Sequence, residues 1–581
     1  MQNVTPAPVR GPDVRADRTQ PLMFSPLNPH ILYYALNRLW KTSDGGATWT
    51  AISPDLAREA GALPASVATQ HPKDAEQQRG VIYALGPSPQ SIDTLWAGTD
   101  DGLVWVTRDG GARWDNVTPA GLIPWSKVTQ VEPSHFDVNT AYVAVSRLRI
   151  DDLHPFIYRT RDGGKSWQSI AAGLPDDAPV NAVREDPERK GLLFAATEKA
   201  VWVSYDDGEH WDSLQLNLPH TSMRDLVVHA NDLIVATHGR SFWVLDDISR
   251  LRQLPAAPAR DAMLFRPAAA WRVHRSTWTD TPLPPDEPLT ANPPDGAVLE
   301  FFLPRNAKQP VTLEVIDSAG TLVRRFSSAD PAEPTAEELA RELIPAYWLK
   351  PPGVLPATSG MHRWLWNLRY AAPVSATHGY PISAVPHATP REPQGPLALP
   401  GKYLVRLTVD GRKLEQPLTL KPDPRVQLPA GALSAQLRLA TELAGLLTES
   451  SQTLLAARSE LAQLKALKPA GAAVQAVSDY QARLAALMEE PKGTPKALLL
   501  PAVQGRVGAL YAELLRGDAP PTAAQLTATA GVRESFGALL DGWRKLQGGL
   551  ADLNRQLKAA GLAPVRADLA PPRDVNAADE E

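Results

Sequence analysis

Four copies of one short motif constrain this sequence more than any other feature. Each copy has Ser or Thr at its first position, Asp at the third, Gly at the fifth and Trp at the eighth. The copies span 42–49, 107–114, 160–167 and 204–211, and their tryptophans are 65, 53 and 44 residues apart. Self-similarity at this spacing predicts an array of similar units, each about the size of a four-stranded sheet with its loops.

Each copy is predicted to form a turn after a strand. The motif follows a run of apolar residues and is itself rich in turn formers. The Asp carboxylate can accept hydrogen bonds from backbone N–H groups of its own turn, Gly allows a positive φ, and Trp covers the base of the hairpin. The spacing supplies too few oxygen ligands for a calcium loop of the EF-hand type, so no metal site is predicted. We therefore assign structural roles to Asp44, Trp49, Asp109, Trp114, Asp162, Trp167, Asp206 and Trp211.

The motif Ser/Thr-x-Asp-x-Gly-x-Thr-Trp resembles the Asp-box, also called the bacterial neuraminidase (BNR) repeat. Residues 95–104, 183–193 and 232–247 strengthen a resemblance to large bacterial proteins labelled glycosyl hydrolase, sialidase-like or sortilin-like, whose repeats form β-propellers. Two copies depart from the pattern, with Arg113 and His210 where Ser or Thr is usual. The resemblance implies a mainly β fold whose first 254 residues form about five propeller blades.

The same resemblance implies that an N-terminal part of the propeller is absent from this chain. Relatives of this type carry a signal peptide and several hundred further propeller residues upstream, and are exported to the periplasm or the cell exterior. The first residues of this chain lack the basic start and apolar run of a secretory signal. We therefore expect the chain to correspond to the C-terminal part of such a protein, or two copies to complete one ring.

Ligands of these propellers bind at the edge opposite the Asp-boxes, where the turns between second and third strands emerge. Applied blade by blade, this rule predicts one polar ligand-binding surface, which we call the rim. Its residues are Asn37, Arg38, Asp100, Asp101, Arg147, Arg149, Asp152, His154, Glu198, Lys199, His238 and Arg240.

Three functions are compatible with such a rim. The first is a non-catalytic binding or scaffold propeller that recognises a peptide or a glycan. The second is a glycoside hydrolase that cleaves a polysaccharide with two carboxyl groups, for which the candidates are Asp101, Asp152, Glu198 and Asp247. The third is an envelope assembly factor. The arginines are not spaced as a sialidase triad, and no nucleotide-binding or HExxH motif occurs.

The second half of the chain is predicted to differ from the first. A Pro-rich linker is expected over 255–296, an Ig-like β-sandwich over 297–425, and a helical hairpin or bundle over 426–565 that is a possible homo-oligomer contact. Leucine and alanine at intervals of seven, from Leu433 to Leu461, indicate a long amphipathic helix. A disordered acidic tail is expected over 566–581.

Composition removes several classes of function. The sequence has no cysteine, which excludes disulfides, thiol catalysis and cysteine-based metal sites. Net charge is −5 and the basic residues form no stripe, which argues against nucleic acid as a partner. No apolar stretch has the length of a membrane span. No cofactor is predicted.

Overall fold

A computed structural model describes the chain except for residues 1–3, 7–12, 60–77, 256–259, 275–279, 288–289, 291, 333–334, 336–338, 341–342, 351–352, 382–383, 472, 489–498 and 568–581. Most of the predicted acidic tail lies outside the described residues. The chain divides into two compact units, 1–258 and 259–581.

Five antiparallel sheets follow one another in the described part of the first unit, and the strands of each sheet are neighbours in chain order. The first four sheets have four strands each: β1 Leu22–Phe24, β2 Leu32–Ala35, β3 Leu39–Thr42 and β4 Thr50–Ala51; β5 Ile82–Pro87, β6 Leu95–Thr99, β7 Val104–Thr107 and β8 Asp115–Asn116; β9 Lys127–Pro133, β10 Ala141–Arg147, β11 Asp152–Thr160 and β12 Gln168–Ser169; β13 Val180–Glu185, β14 Leu193–Thr197, β15 Val201–Ser204 and β16 Asp212–Ser213. The fifth has three: β17 Met223–His229, β18 Asp232–Thr237 and β19 Phe242–Leu245.

Each sheet packs face to face against the next. In β15, Val201 and Val203 are buried against the fifth sheet, whereas Trp202 between them points back towards the third. This alternation follows from the two-residue period of a strand. Four hydrophobic cores join the first sheet to the second, the second to the third, the third to the fourth and the fourth to the fifth. The prediction of a mainly β, propeller-like first part is confirmed at this level.

The second unit begins with two sheets that share one core. One sheet has the order β20, β22, β25, and the other has β21, β27, β26, β23, β24. Phe301, Val405 and Trp366 lie in the core between them. The Ig-like assignment stays a prediction. The strands are β20 Met263–Leu264, β21 Ala270–Arg272, β22 Ala297–Leu303, β23 Thr312–Asp317, β24 Leu322–Ser327, β25 Gly360–Trp366, β26 Gly401–Val409 and β27 Arg412–Pro422.

Two of these strands differ from the predicted linker. β20 and β21 lie within 255–296 and pair with β22 and β27. Apolar residues such as Leu264 and Ala270 reach the core of the two sheets, and burying them stabilises an ordered path for this Pro-rich segment.

Within the described residues, five α-helices follow and share one core. The predicted helical region is confirmed. Near its C-terminal end the region is divided at Gly549, where consecutive glycines lower helix propensity. The helices are α1 Ala432–Ala466, α2 Ala473–Met488, α3 Leu500–Leu514, α4 Ala523–Gly548 and α5 Leu550–Ala559. Over the described residues, no helix is both long and apolar enough to cross a membrane.

Candidate functional site

The motif lies in the turn between the third and fourth strands of the first four sheets, which we call the motif turn. In the first sheet, Asp44 Oδ1 accepts hydrogen bonds from Thr42 Oγ1 at 2.8 Å and from the backbone N–H of Thr48 at 2.9 Å. The hydroxyl of Thr48 donates to Asp44 Oδ2 at 2.6 Å. These hydrogen bonds, that of the Thr48 hydroxyl first, lower the pKa of Asp44 to about 2. The carboxylate therefore closes the turn as an acceptor.

The other three motif turns repeat this geometry. Their aspartates accept a hydrogen bond from the hydroxyl two residues earlier at 2.9 Å, and one from the backbone N–H four residues later at 2.9 Å. At the positions that depart from the pattern, the side chains of Arg113 and His210 reach Asp109 and Asp206 in place of a hydroxyl. The four aspartates are thus engaged within their own turns.

The predicted rim residues lie at the other edge of the sheets, by which we mean the ends of the strands opposite the motif turns. In a sheet whose strands follow chain order, successive turns alternate between two edges, so turns between second and third strands lie opposite the motif turns. Arg38, Glu198 and His238 lie within such turns, and Arg147 and Asp152 flank one of them. The topology therefore brings the predicted rim residues to one edge.

The two acidic residues in the turn between β6 and β7 are differently placed. The Asp101 side chain is buried, with 2% of the residue exposed, and accepts hydrogen bonds from Thr99 Oγ1 at 2.5 Å and from the backbone N–H of Arg58 at 2.8 Å. Burial raises the pKa of Asp101 despite these hydrogen bonds. Asp100 pairs with Arg149 at 3.2 Å. The carboxylate of Asp101 is therefore enclosed, whereas that of Asp100 is partly accessible.

Arg147 and Asp152 face each other at the ends of β10 and β11. The Arg147 guanidinium is 3.4 Å from Asp152 and donates to the carbonyl oxygen of Gly121 at 2.6 Å. His154 Nδ1 lies 2.7 Å from the Asp152 carboxylate. Burial alone would raise the pKa of Asp152, but hydrogen bonds from His154 and Arg147 outweigh it and lower that pKa. Asp152 is thus held ionised between two nitrogen donors.

Glu198 and His238 are joined by a residue that sequence reasoning missed. Arg224, in β17, lies 3.1 Å from Glu198 Oε1 and 3.1 Å from His238 Nδ1. Asn181 Nδ2 also donates to Glu198 at 3.0 Å. The side chain of Arg224 is half exposed. The sequence signal for this placement was the alternation in β17, in which a charged residue follows the apolar Met223. The fourth and fifth sheets thus share one polar cluster at the rim.

A second missed residue is Trp125, before β9. Its backbone N–H donates to the carbonyl oxygen of Asp101 at 2.9 Å, and the guanidinium of Arg149 lies 4.9 Å from the centre of its ring. Trp125 has a positive φ of 68°, and no sequence pattern indicated this placement. An aromatic ring therefore stands beside the acidic turn of the second sheet.

Asp247 does not lie with the other carboxylate candidates. Its backbone N–H donates to the side chain of Asp232, the first residue of β18, which lies at the end of the fifth sheet opposite the rim. Its side chain accepts a hydrogen bond from the N–H of Ser249 at 3.1 Å and caps the 3₁₀ helix Ile248–Gln253. The prediction that grouped Asp247 with Asp101, Asp152 and Glu198 is therefore corrected. β19 begins at the rim and carries the chain to the opposite edge, where Asp247 lies.

A metal-binding site is not formed by the described residues. In the part of the chain that the structure describes, no group of three or more His, Asp or Glu side chains is arranged to hold a metal ion. The exposed nitrogen groups at the rim include the side chains of Arg38, His154, His238 and Arg240. The rim is therefore suited to hydrogen-bond acceptors in a ligand.

Comparison with known proteins gives short similarities. No family model matches the chain. The vacuolar protein sorting/targeting protein 10 of Leptosphaeria maculans is 30% identical over 76 residues, which cover 13% of this chain and 5% of that protein. A xyloglucanase of a Paenibacillus species is 23% identical over 210 residues, which cover 33% of this chain and 20% of that protein. The chain thus spans at most a fifth of the length of these two relatives.

Solved structures match part of the chain at low similarity. A GH74 xyloglucanase from Xanthomonas campestris has a TM-score of 0.32 and 18% identity, over 44% of this chain and 41% of that one. A likeness at this level identifies no activity. The succession of sheets described above, with the sequence similarities to the two relatives, supports a β-propeller fold for the first unit and no finer family assignment.

Proposed function

We propose that this chain binds a peptide or a glycan through the rim and does not cleave it. The observation that supports this proposal is the state of the three carboxylates at the rim that were candidates for catalysis. Asp101 is enclosed, Asp152 is held by Arg147 and His154, and Glu198 is held by Arg224 and Asn181.

Hydrolysis of a glycosidic bond needs two carboxyl groups that reach the same bond. One must be protonated as a general acid, and the other must be free to act as a base or nucleophile. The lowered pKa of Asp152 is unsuited to a general acid near neutral pH. Asp101 has the raised pKa that an acid needs, but its carboxylate is buried under the backbone of Arg58. These features favour binding over catalysis.

The exposed side chains of the rim suggest what it would bind. Arg38, Arg224 and Arg240 offer planar N–H groups, which match carboxylates and vicinal hydroxyl groups. Trp125 adds an aromatic surface next to Arg149. A ligand rich in oxygen acceptors, either an acidic peptide or a glycan, would satisfy these groups.

The alternative function is glycoside hydrolysis. It is favoured by the similarity to a protein named as a xyloglucanase over a third of this chain. Under this alternative, Asp152 and Glu198 are the carboxylates that would act, since both belong to the rim and neither is fully buried.

The test uses the full chain with panels of acidic peptides and soluble polysaccharides, including xyloglucan. Binding is measured by calorimetry and cleavage by the appearance of reducing ends. We expect binding without cleavage, and a loss of affinity of about tenfold in Arg224→Gln and Arg240→Gln, the loss expected for a charge-assisted hydrogen bond. Arg113→Gln, an exposed arginine at the motif turns, is the matched control and should bind as the parent does.

Two outcomes would contradict the proposal. Cleavage that disappears in Asp152→Asn or Glu198→Gln, while the substrate still binds, would establish the alternative. Equal losses in Arg240→Gln and Arg113→Gln would show that the rim has no special role in binding.

A further inference from the structure

The junctions between sheets follow one rule at the motif turns. In the second, third and fourth sheets, the indole N–H of the motif Trp donates to the carbonyl oxygen of the residue that follows the fourth strand of the preceding sheet. The distances are 2.9 Å for Trp114 to Ile52, 2.7 Å for Trp167 to Val117 and 2.7 Å for Trp211 to Ile170. The motif glycines are in contact with the same residues, so that a Cβ at Gly164 would lie 2.6 Å from the Cβ of Val117.

Val4 occupies this position on the first sheet. The Trp49 indole donates to the Val4 carbonyl oxygen at 2.7 Å, and a Cβ at Gly46 would lie 2.7 Å from the Cβ of Val4. The sequence around Val4 also matches, since residues 3–7 and residues 116–120 both read Asn-Val-Thr-Pro-Ala. Val4 therefore acts as the end of a preceding sheet.

Among the described residues, the face of the first sheet that would meet a preceding sheet carries exposed apolar side chains. Leu22 pairs with Tyr34 in the register in which Leu85, Val131 and Val183 pair within their own sheets. Those three residues are buried at the junctions with the preceding sheets, whereas Leu22 is 58% exposed. We call this surface, with Leu22, Phe24 and Tyr34, the starting face.

The fifth sheet has the complementary surface. Phe242 and Val244 occupy the register positions of Val201 and Val203 in the fourth sheet. Val201 and Val203 are buried against the next sheet, but Phe242 is 76% exposed and Val244 is 50% exposed. We call this surface, with Val227, Phe242 and Val244, the finishing face. The fifth sheet also has three strands within the described residues, where the other four sheets have four.

We propose that a second copy of this chain covers these faces, with the finishing face of each copy packed on the starting face of the other. Each of the four junctions inside one copy brings these two kinds of face together. One copy holds both kinds unpaired, so two copies form two equivalent junctions and close a ring of ten sheets, which is a heterologous contact that closes.

The test is the mass of the full chain and of its variants in solution, measured by sedimentation. Protein concentrations of about 1–50 µM span the affinities that are typical of specific interfaces. The parent should be a dimer. Leu22→Glu blocks the starting face and Phe242→Glu blocks the finishing face, and each variant alone should be a monomer. A mixture of the two retains one intact junction and should form a mixed dimer. Ile92→Glu, at another exposed apolar residue of the first unit, is the matched control and should stay dimeric.

Any of the following outcomes would overturn the proposal. A monomeric parent would leave the faces to sheets from a different polypeptide. A Leu22→Glu variant that stays dimeric would indicate a symmetric contact between like faces or a contact through the helices. A mixture that stays monomeric would rule out head-to-tail pairing. Circular dichroism of each variant, with unchanged spectra, excludes unfolding as the cause.

Discussion

Arg252 and Asp186 form an ion pair in the interior of the first unit, with Arg252 Nε 2.9 Å from Asp186 Oδ2. The Asp186 carboxylate is fully buried and also accepts hydrogen bonds from the backbone N–H groups of Glu188 and Arg189. Arg252 belongs to the 3₁₀ helix that follows the fifth sheet, and Asp186 follows β13. The pair thus ties the end of the array of sheets back to the fourth sheet.

Replacing Asp186 with Ala should therefore destabilise the first unit strongly. The substitution removes the buried carboxylate and leaves the Arg252 guanidinium only the exposed carboxylate of Glu188, at 3.0 Å, as an ionic partner. The loss should therefore be about 3 kcal/mol of unfolding free energy, the lower end of the range for breaking a buried pair. Urea denaturation measures this loss. Asp177→Ala, which breaks the exposed pair of Asp177 with Lys199, is the control and should leave the urea midpoint unchanged. Equal effects of the two substitutions would contradict the structural role of the buried pair.

Trp211 should contribute more to stability through its ring than through its N–H group. Its side chain is buried between the third and fourth sheets, with 7% of the residue exposed. Trp211→Ala should cost about 3–5 kcal/mol, as expected for a large core side chain. Trp211→Phe retains a ring but leaves the Ile170 carbonyl oxygen without its donor, which should cost about 1–3 kcal/mol. Thermal or urea unfolding of both variants gives the comparison, and equal losses would refute it.

The motif turn of the first sheet should respond to acid in a defined range. The pKa of Asp44 is lowered to about 2 in the folded protein, below its value in an unfolded chain. The stability that its carboxylate contributes is therefore complete above about pH 4. It is lost as the pH falls through the folded pKa of about 2.

Thr48→Ala removes the largest cause of the shift and should raise the pKa of Asp44 towards the ordinary range. NMR titration of the side-chain carboxyl carbon follows this directly. The carboxyl of Asp162, whose turn contains Ser166, serves as the internal control and should titrate as before. An unchanged Asp44 titration would show that the hydroxyl does not hold the carboxylate.

Asp101→Asn should act on stability, although Asp101 is one of the predicted rim residues. The two carboxylate oxygens of Asp101 accept hydrogen bonds from the N–H of Arg58 and from the hydroxyl of Thr99. An amide has one acceptor oxygen, so its N–H₂ group would face one of these two donors. Loss of one buried acceptor should cost about 1–3 kcal/mol. The measurement pairs urea denaturation with ligand binding. A variant of parental stability with altered binding would instead assign Asp101 to the ligand site.

The repeat made the first unit predictable because its information is local. A strand such as β15, Val-Trp-Val-Ser, reveals its alternation within four residues, and the turn after it is fixed by Ser204, Asp206 and Gly208. The helix α1 was predictable for the same reason, since leucines at a constant spacing define one face.

The environment of the rim was not predictable, because it depends on contacts between residues far apart in sequence. Asp101 is enclosed by Arg58, which lies 43 residues earlier. Glu198 is paired with Arg224 from the next sheet. Charge and turn position in the sequence predict the edge on which such residues lie, but not whether their side chains are enclosed.

The way in which each motif Trp reaches only the sheet before it has a consequence for unfolding. Interactions limited to adjacent sheets make the first unit a linear array, whose stability is approximately a sum of nearest-neighbour terms. The outermost members of such an array open first, and the central ones exchange their amide hydrogens most slowly. Backbone amides of the third sheet around Tyr142 and Val143, whose side chains face the fourth and the second sheet respectively, should thus be the last to exchange. Ring closure would remove this gradient, because a ring has no outermost member.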